Sequence, residues 1–303
     1  MSMPAPHHEG HAPNPERRGV KKGLYVIPSI FTAANIGMGF YAVMAAARGF
    51  QFIGTGVSQD LLRASAYLDN AAMAIGWAVL FDMLDGRIAR MTKTTTEIGV
   101  QLDSIADVVT FGLAPAVLAY VWGYGATLPE GSDLHRLAWF LSFMYLMCGA
   151  FRLARFNVQS SRPRILAEGT IKVDKKSFVG LPIPVAGGLI ASIIHFSPQP
   201  LVSYGSDRAR LYSVMLMLLV GFLSVLMVST LRFSSFKTVG TRRRSMRTIM
   251  LVVAVGMLIF LYSRYVLLGI VCLYILQGLL ARVVGMFRKR TDVADALVEE
   301  KQT

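Results

Sequence analysis

Apolar residues in this chain gather into long runs separated by short polar or basic clusters. The runs lie near Tyr25 to Ala46, Ala71 to Arg90, Gly99 to Trp122, Leu137 to Phe156, Leu181 to Phe196, Leu211 to Leu231, Ile249 to Tyr262 and Tyr265 to Phe287. As helices they span, or nearly span, a hydrocarbon core of about 30 Å. The pattern predicts an all-α polytopic transmembrane bundle of about eight spans, in which the fifth and seventh runs, about 16 and 14 residues, are the shortest. Only Ser263 and Arg264 separate the last two runs. A tight extracytoplasmic hairpin is expected there, because a single helix through both would far outrun the membrane. The stretch Gln51 to Asn70 is too polar to span and is expected to lie along the outer interface as an amphipathic helix. No pair of matching Gly- or Pro-broken segments marks a transporter-type repeat.

Composition agrees with a membrane protein. Of 303 residues, 54% are hydrophobic and 16% charged, and the mean hydropathy is +0.50, too little polar surface for a soluble chain of this length. The net charge of +13 does not indicate nucleic acid, since Lys and Arg fall between apolar runs rather than on one soluble face. Cys148 and Cys272 sit within apolar runs without paired spacing and read as packing residues. Residues Met1 to Val20 are polar, lack the apolar core of a cleavable signal and read as a disordered tail. His7, His8 and His11 in that tail have no fixed geometry for a metal and read as solvated.

Charge sets the orientation. With the N-terminal tail inside, 24 of the 31 Lys and Arg fall on the inner side and six on the outer, with Arg282 inside the last run. Cytoplasmic segments carry the excess of positive residues, so both termini are expected in the cytoplasm of a multi-pass inner-membrane protein. Much of the basic surplus then faces anionic headgroups, making membrane lipids partners of the surface.

Against this background four acids stand out. Asp82 and Asp85 close the second run, and Asp103 and Asp107 open the third from the same side. A charged side chain within a membrane helix costs roughly 2.5 to 3.5 kcal/mol on insertion scales, so four near one another call for compensation. Spacings of three and four residues put each pair on one helix face, about 5 to 6 Å between side chains. The short loop Met91 to Ile98 lets two antiparallel neighbours bring the pairs together. Thr94 and Glu97, three apart, are a candidate capping box for the third helix. Four facing carboxylates cannot all stay ionised without cations. Hard oxygen ligands favour Mg2+, Mn2+ or Ca2+ over zinc, and two such ions suit phosphoryl transfer. Gly86 and Gly99 remove side chains where a nucleotide or phosphate must approach a helix backbone. A cation transporter whose acids line an ion path would explain the carboxylates, but not the glycines, Ala89 and Arg90.

At these positions the sequence resembles the CDP-alcohol phosphotransferase family, whose signature D-x2-D-G-x2-A-R-x8-G-x3-D-x3-D is met by Asp82, Asp85, Gly86, Ala89, Arg90, Gly99, Asp103 and Asp107. The resemblance implies an enzyme that transfers the phosphoryl-bearing group of a CDP-linked lipid or alcohol to an acceptor hydroxyl and releases CMP. It implies two divalent cations, Mg2+ or Mn2+ with Ca2+ possible, on the aspartates, and Asp107 as general base that also contacts metal. Thr32, Gly86, Ala89, Arg90 and Gly99 are then candidates for binding the CDP donor. Further blocks are similar to the multi-spanning phosphatidylserine synthase branch. They are Ile27 to Thr32, with Ser29 where Asn is common, Arg152 to Asn157, and Ser177 to Pro184. The expected substrates are therefore CDP-diacylglycerol and L-serine, with glycerol 3-phosphate or inositol phosphate as alternative acceptors, in a homodimer. Arg152 and Arg155, three apart, can reach the serine carboxylate or the donor phosphates. Asn157, Lys176 and Ser177 are further acceptor-site candidates. The implied layout is a tail over residues 1–20, a catalytic transmembrane domain over 21–232, a basic loop with two additional helices over 233–290, and a tail over 291–303.

The orientation has a direct test. In intact cells a cysteine placed at Ser132 should react with a membrane-impermeant maleimide, and one placed at Thr94 only after permeabilisation; the reverse pattern would invert the topology.

Overall fold

The computed structural model describes residues 15–55, 57–92, 96–161, 177–230, 232–234, 256–259 and 261–280. Its helices, in chain order, are α1 (Pro15–Ile53), α2 (Ser58–Thr92), α3 (Glu97–Tyr124), α4 (Asp133–Ser161), α5 (Ile183–Phe196), α6 (Ser206–Val228) and α7 (Leu261–Leu280). Among the described residues, five helical stretches are long and apolar enough to cross a membrane: Ile30–Ile53 in α1, all of α3, Asp133–Gln159 in α4, α6 and α7. In lipid, a helix satisfies every backbone donor and acceptor within itself, so long apolar runs fold this way. The 35 residues of α2 make a rod of about 50 Å, longer than a hydrocarbon core of about 30 Å, so its two ends extend beyond the core. At 14 residues α5 is the short member. The protein is a multi-pass, all-α membrane bundle.

Several sequence expectations change here. Helix α1 already begins at Pro15, so residues 15–20 belong to it and not to a disordered tail; His7, His8 and His11 lie outside the described residues. The stretch expected along the outer interface is instead the end of α1, a turn and the first turns of α2. The helix continues because Ala64, Leu68 and Ala71 are buried on the same stripe that later packs against α1. Ser263 and Arg264 are not a hairpin turn but lie in the first turn of α7, where their side chains are bound to the bundle. Most of the seventh run lies outside the described residues. The all-α pattern gains two three-residue strands, Ser177–Val179 and Arg232–Ser234, paired antiparallel with Phe178 opposite Phe233.

Helices α1 and α2 form the most extensive pair. Ala42, Ala45 and Ala46 face Ala64, Ala71, Ala72 and Ala78, all buried; small residues let helix backbones approach closely in a membrane, where dispersion rather than the hydrophobic effect drives association. Helix α3 is the hub. It touches α1, α2, α4, α5 and α6, and 61% of its span is buried, against 22% for α4. Its hydrogen bonding widens to the π pattern over Val108–Leu113 and again over Tyr120–Tyr124. In the first π segment the Phe111 carbonyl accepts the hydroxyl of the fully buried Tyr145 from α4 (3.0 Å). On the opposite side Thr110 Oγ1 donates to Asn35 O of α1 (3.0 Å).

Gly39 makes that α1–α3 crossing possible. A Cβ there would stand 2.8 Å from Thr110 Cα, well inside van der Waals contact. Near the strand pair, Gly180 has φ +84, which leaves Leu181 N free to donate to Leu226 O (3.1 Å) and seats the α5 entry against the end of α6.

At the end of the bundle opposite the aspartates, His195 at the end of α5 meets Asp69 of α2 (Nδ1 to Oδ1, 2.5 Å) and Ser263 of α7 (Nε2 to Oγ, 2.9 Å). Arg264 reaches the other oxygen of Asp69 at 3.5 Å. This polar knot joins α2, α5 and α7.

Replacing Gly39 with Ala should push α1 and α3 apart and cost about 1–3 kcal/mol, seen as a lowered unfolding temperature in detergent. Gly37→Ala, with nothing within 4 Å, should unfold like the parent.

Candidate metal and phosphate site

Helix α2 delivers Asp82 and Asp85 near its end, and α3 delivers Asp103 and Asp107 from its first turns. Thr96 starts α3, with extended backbone (φ −112, ψ 155) and a hydroxyl that accepts the Gly99 N–H at 3.0 Å. The cap is therefore Thr96 and not Thr94. Gly at the third helical position has no side chain to return the bond, so a reciprocal capping box does not form.

Carboxylate oxygens of Asp82, Asp103 and Asp107 lie within 4.8 Å of one another. Asp85 is not one of this trio: it accepts the hydroxyl of Thr32 from α1, although its charge still acts on Asp103. Two ionised carboxylates 4.8 Å apart repel by about 3.5 kcal/mol at an effective dielectric near 20. Three such pairs are not sustained without protons or a cation. Asp107 is buried, and its Oδ1 has no hydrogen-bond partner. An oxygen-only donor set with an unsatisfied buried lone pair fits a hard divalent cation. The directions of the carboxylates follow from α3, which leaves the α pattern for the π pattern at the residue after Asp107, a widening common at functional sites.

The remaining candidates separate into several environments. Arg152 on α4 is buried, its Nε has no partner, and its charge and that of Asp107 act on each other. Arg155, one turn on, donates from Nη1 to Val228 O of α6 at 3.3 Å. Asn157 Nδ2 donates to Ser104 Oγ at 2.8 Å, tying α4 to the residue beside Asp103. Gly86 is exposed on α2, whereas Gly99 is tied into the Thr96 cap, where a Cβ would stand 3.0 Å from Thr96 Oγ1. Ala89 and Arg90 are helical, but their side chains lie outside the described residues, as does that of Ser177 in the first strand; Lys176 lies wholly outside.

Asn35 was not singled out from the sequence. It is 1% exposed, and neither atom of its amide has a partner. It stands about one helical turn from Thr32 on the same side of α1. An amide inside the apolar run Ala33 to Gly39 was the available signal, and its cost when unpartnered, about 1–3 kcal/mol, makes it a group awaiting a ligand or water.

A membrane-embedded helical bundle thus carries, at one end, a cluster of carboxylates that can hold a metal ion, with a buried arginine on α4 and an unpartnered amide on α1. Residues 25–226 match the CDP-alcohol phosphatidyltransferase family, and the chain belongs to that family. It is 29% identical over 257 residues to the CDP-diacylglycerol–serine O-phosphatidyltransferase of Helicobacter pylori strain 26695, covering 85% of this chain and 91% of that protein. The protein of the same name from Methanocaldococcus jannaschii is 34% identical over 171 residues, 56% of this chain and 67% of that one. An archaetidylserine synthase of Methanothermobacter thermautotrophicus is 34% identical over 140 residues, 46% of this chain and 52% of that one.

Titrating the purified protein with Mn2+ and following free ion by electron paramagnetic resonance should show binding that Asp103→Asn weakens at least about tenfold. Asp60→Asn, which removes only a surface pair with Arg63, should leave it unchanged.

Proposed function

We propose that this protein transfers the phosphatidyl group of CDP-diacylglycerol to the hydroxyl of L-serine, giving phosphatidylserine and CMP. The observation that carries the reading is the convergence of Asp82, Asp103 and Asp107 beside the buried Arg152. The names of the relatives support serine as acceptor, and the family match over residues 25–226 supports a catalytic unit over 21–232 with the last helices as an addition.

Asp82, Asp103 and Asp107, with Asp85 at their edge, would hold two divalent cations, Mg2+ or Mn2+, which when bound supply neutralisation of the donor pyrophosphate. Thr32 fixes Asp85 through its hydroxyl and so ties α1 to the acidic end of α2. Asp107 accepts the proton of the serine hydroxyl at its partnerless Oδ1. The serine oxygen then forms a bond to the phosphorus that carries diacylglycerol, the bond from that phosphorus to the oxygen of CMP breaks, and CMP leaves. Arg152 pairs with the serine carboxylate, for which a buried guanidinium is the natural partner. Most of the acceleration comes from holding the two substrates in line. The acyl chains stay in lipid while the reacting groups sit at the end of the bundle, so a water-soluble amino acid meets a lipid donor at the interface. The charge distribution supports the cytoplasmic face of the inner membrane for this end.

Purified protein with CDP-diacylglycerol and Mn2+ or Mg2+ should release CMP with labelled serine and not with glycerol 3-phosphate or inositol phosphate. Release with only a phosphorylated acceptor sinks serine, and no release with any acceptor sinks the enzyme. In the same assay Asp107→Asn should lower kcat by about 10²–10⁴-fold while donor binding stays measurable; near-normal turnover would remove Asp107 as the base.

A further inference from the structure

Helices α3 and α4 are tied by side chains at three heights. Nearest the acids, Asn157 Nδ2 donates to Ser104 Oγ at 2.8 Å. Farther along, the Tyr145 hydroxyl donates to Phe111 O at 3.0 Å, and beyond it the hydroxyls of Tyr124 and Ser142 meet at 2.7 Å. Numbers rise along α3 as they fall along α4, so the two helices run antiparallel and the ties follow one seam. The first tie differs from the others in place. Ser104 is the chain neighbour of Asp103 and stands three residues before Asp107, between two of the three clustered carboxylates.

That tie has one possible direction. Ser104 Oγ donates its only hydrogen to Val100 O, one turn back, at 3.0 Å. Toward α4 it can therefore only accept, and the amide NH2 of Asn157 must face it. The start of α3 needs such a hold. Glu97 to Gln101 are exposed, and full burial on this stretch begins only at Ala106 and Asp107, so the packed core grips the helix beyond Asp103 and not before it. Successive residues of a helix are turned by about 100°. A rotation of these first turns that carried Ser104 away from Asn157 would swing Asp103 with it, away from Asp82, which a different helix supplies.

We infer that Asn157 is a positioning residue for the metal site: through Ser104 it fixes the rotation of the first turns of α3 and so holds Asp103 in the cluster with Asp82 and Asp107. The inference rests on the reading of those carboxylates as cation ligands given above. Asn157, expected from the sequence at the acceptor, then serves the metals from α4.

The test is Mn2+ binding to the purified full-length protein, followed by electron paramagnetic resonance, with unfolding temperature as a check on folding. Asn157→Ala and Ser104→Ala should each weaken binding about tenfold, the low end for residues that orient a metal ligand. The double variant should bind no worse than either single one, because both remove the same bond. Ser104→Thr keeps a hydroxyl at the position and should keep the parent affinity. Ser142→Ala removes a bond between the same two helices where it meets Tyr124, 17 residues past Asp107 and about 25 Å along α3. It should lower the unfolding temperature and leave Mn2+ affinity unmoved. Unchanged binding in either alanine variant at position 104 or 157, additive losses in the double variant, or an equal loss in Ser142→Ala overturns the inference. A parent protein that binds no Mn2+ overturns the metal reading and the inference together. A parent that binds Mn2+ but does not use serine loses the serine reading alone, and the binding data still decide the role of Asn157.

Discussion

Three carboxylates held within 4.8 Å of one another at the end of a membrane bundle are the constraint around which the rest is arranged. Left alone they would repel by several kcal/mol, and relaxed helices would splay. The scaffold resists this with hydrogen bonds between helices. Thr32 joins α1 to Asp85, Asn157 joins α4 to Ser104, and Thr110 joins α3 to the Asn35 carbonyl. Each crosses between helices near the acids, so repulsion is met by packing and hydrogen bonds on three sides. The chemistry left over, the buried Oδ1 of Asp107 without a partner, is what a cation would satisfy.

Helix α3 explains how a rigid hub can also be a site. It is the most enclosed span, and its inner face is fixed by Phe111, Ala114, Leu118 and Trp122. Immediately after Asp107 the helix widens, and the Phe111 carbonyl is held by the hydroxyl of Tyr145. A regular helix would carry Thr110 and Phe111 to different angles. The widened turn instead lets Thr110 meet α1 and Tyr145 meet α4 while the acids keep facing α2. Function and packing thus share one backbone irregularity.

Much of the site was legible because it is written in local spacing. The acids at positions 82, 85, 103 and 107, with Gly86 and Gly99 between them, follow helix periodicity, and their cost in lipid makes them conspicuous. Asn35 was less visible, since one amide in an apolar run has many ordinary explanations until both its atoms prove buried and unpartnered. The fate of the stretch Gln51 to Asn70 was misread for a related reason. Its polar residues argued against a span, but the alanine stripe that carries it into α2 gains its value only when α1 lies against it.

By itself the sequence determined that this is a membrane bundle, where most spans fall, which end is basic and which residues form the acidic signature. Apolar length, charge bias and a 3.6-residue period act locally, without knowledge of neighbours. Tertiary structure decided what depends on contacts between distant segments. It turned Asp85 to Thr32 and left three acids together, chose Thr96 as the cap, and spent Asn157 and Arg155 on α3 and α6. It also fastened α7 through Asp69 and His195, 126 positions apart in the chain. Those outcomes depend on which helix faces meet and at what height, and only the packed bundle sets both.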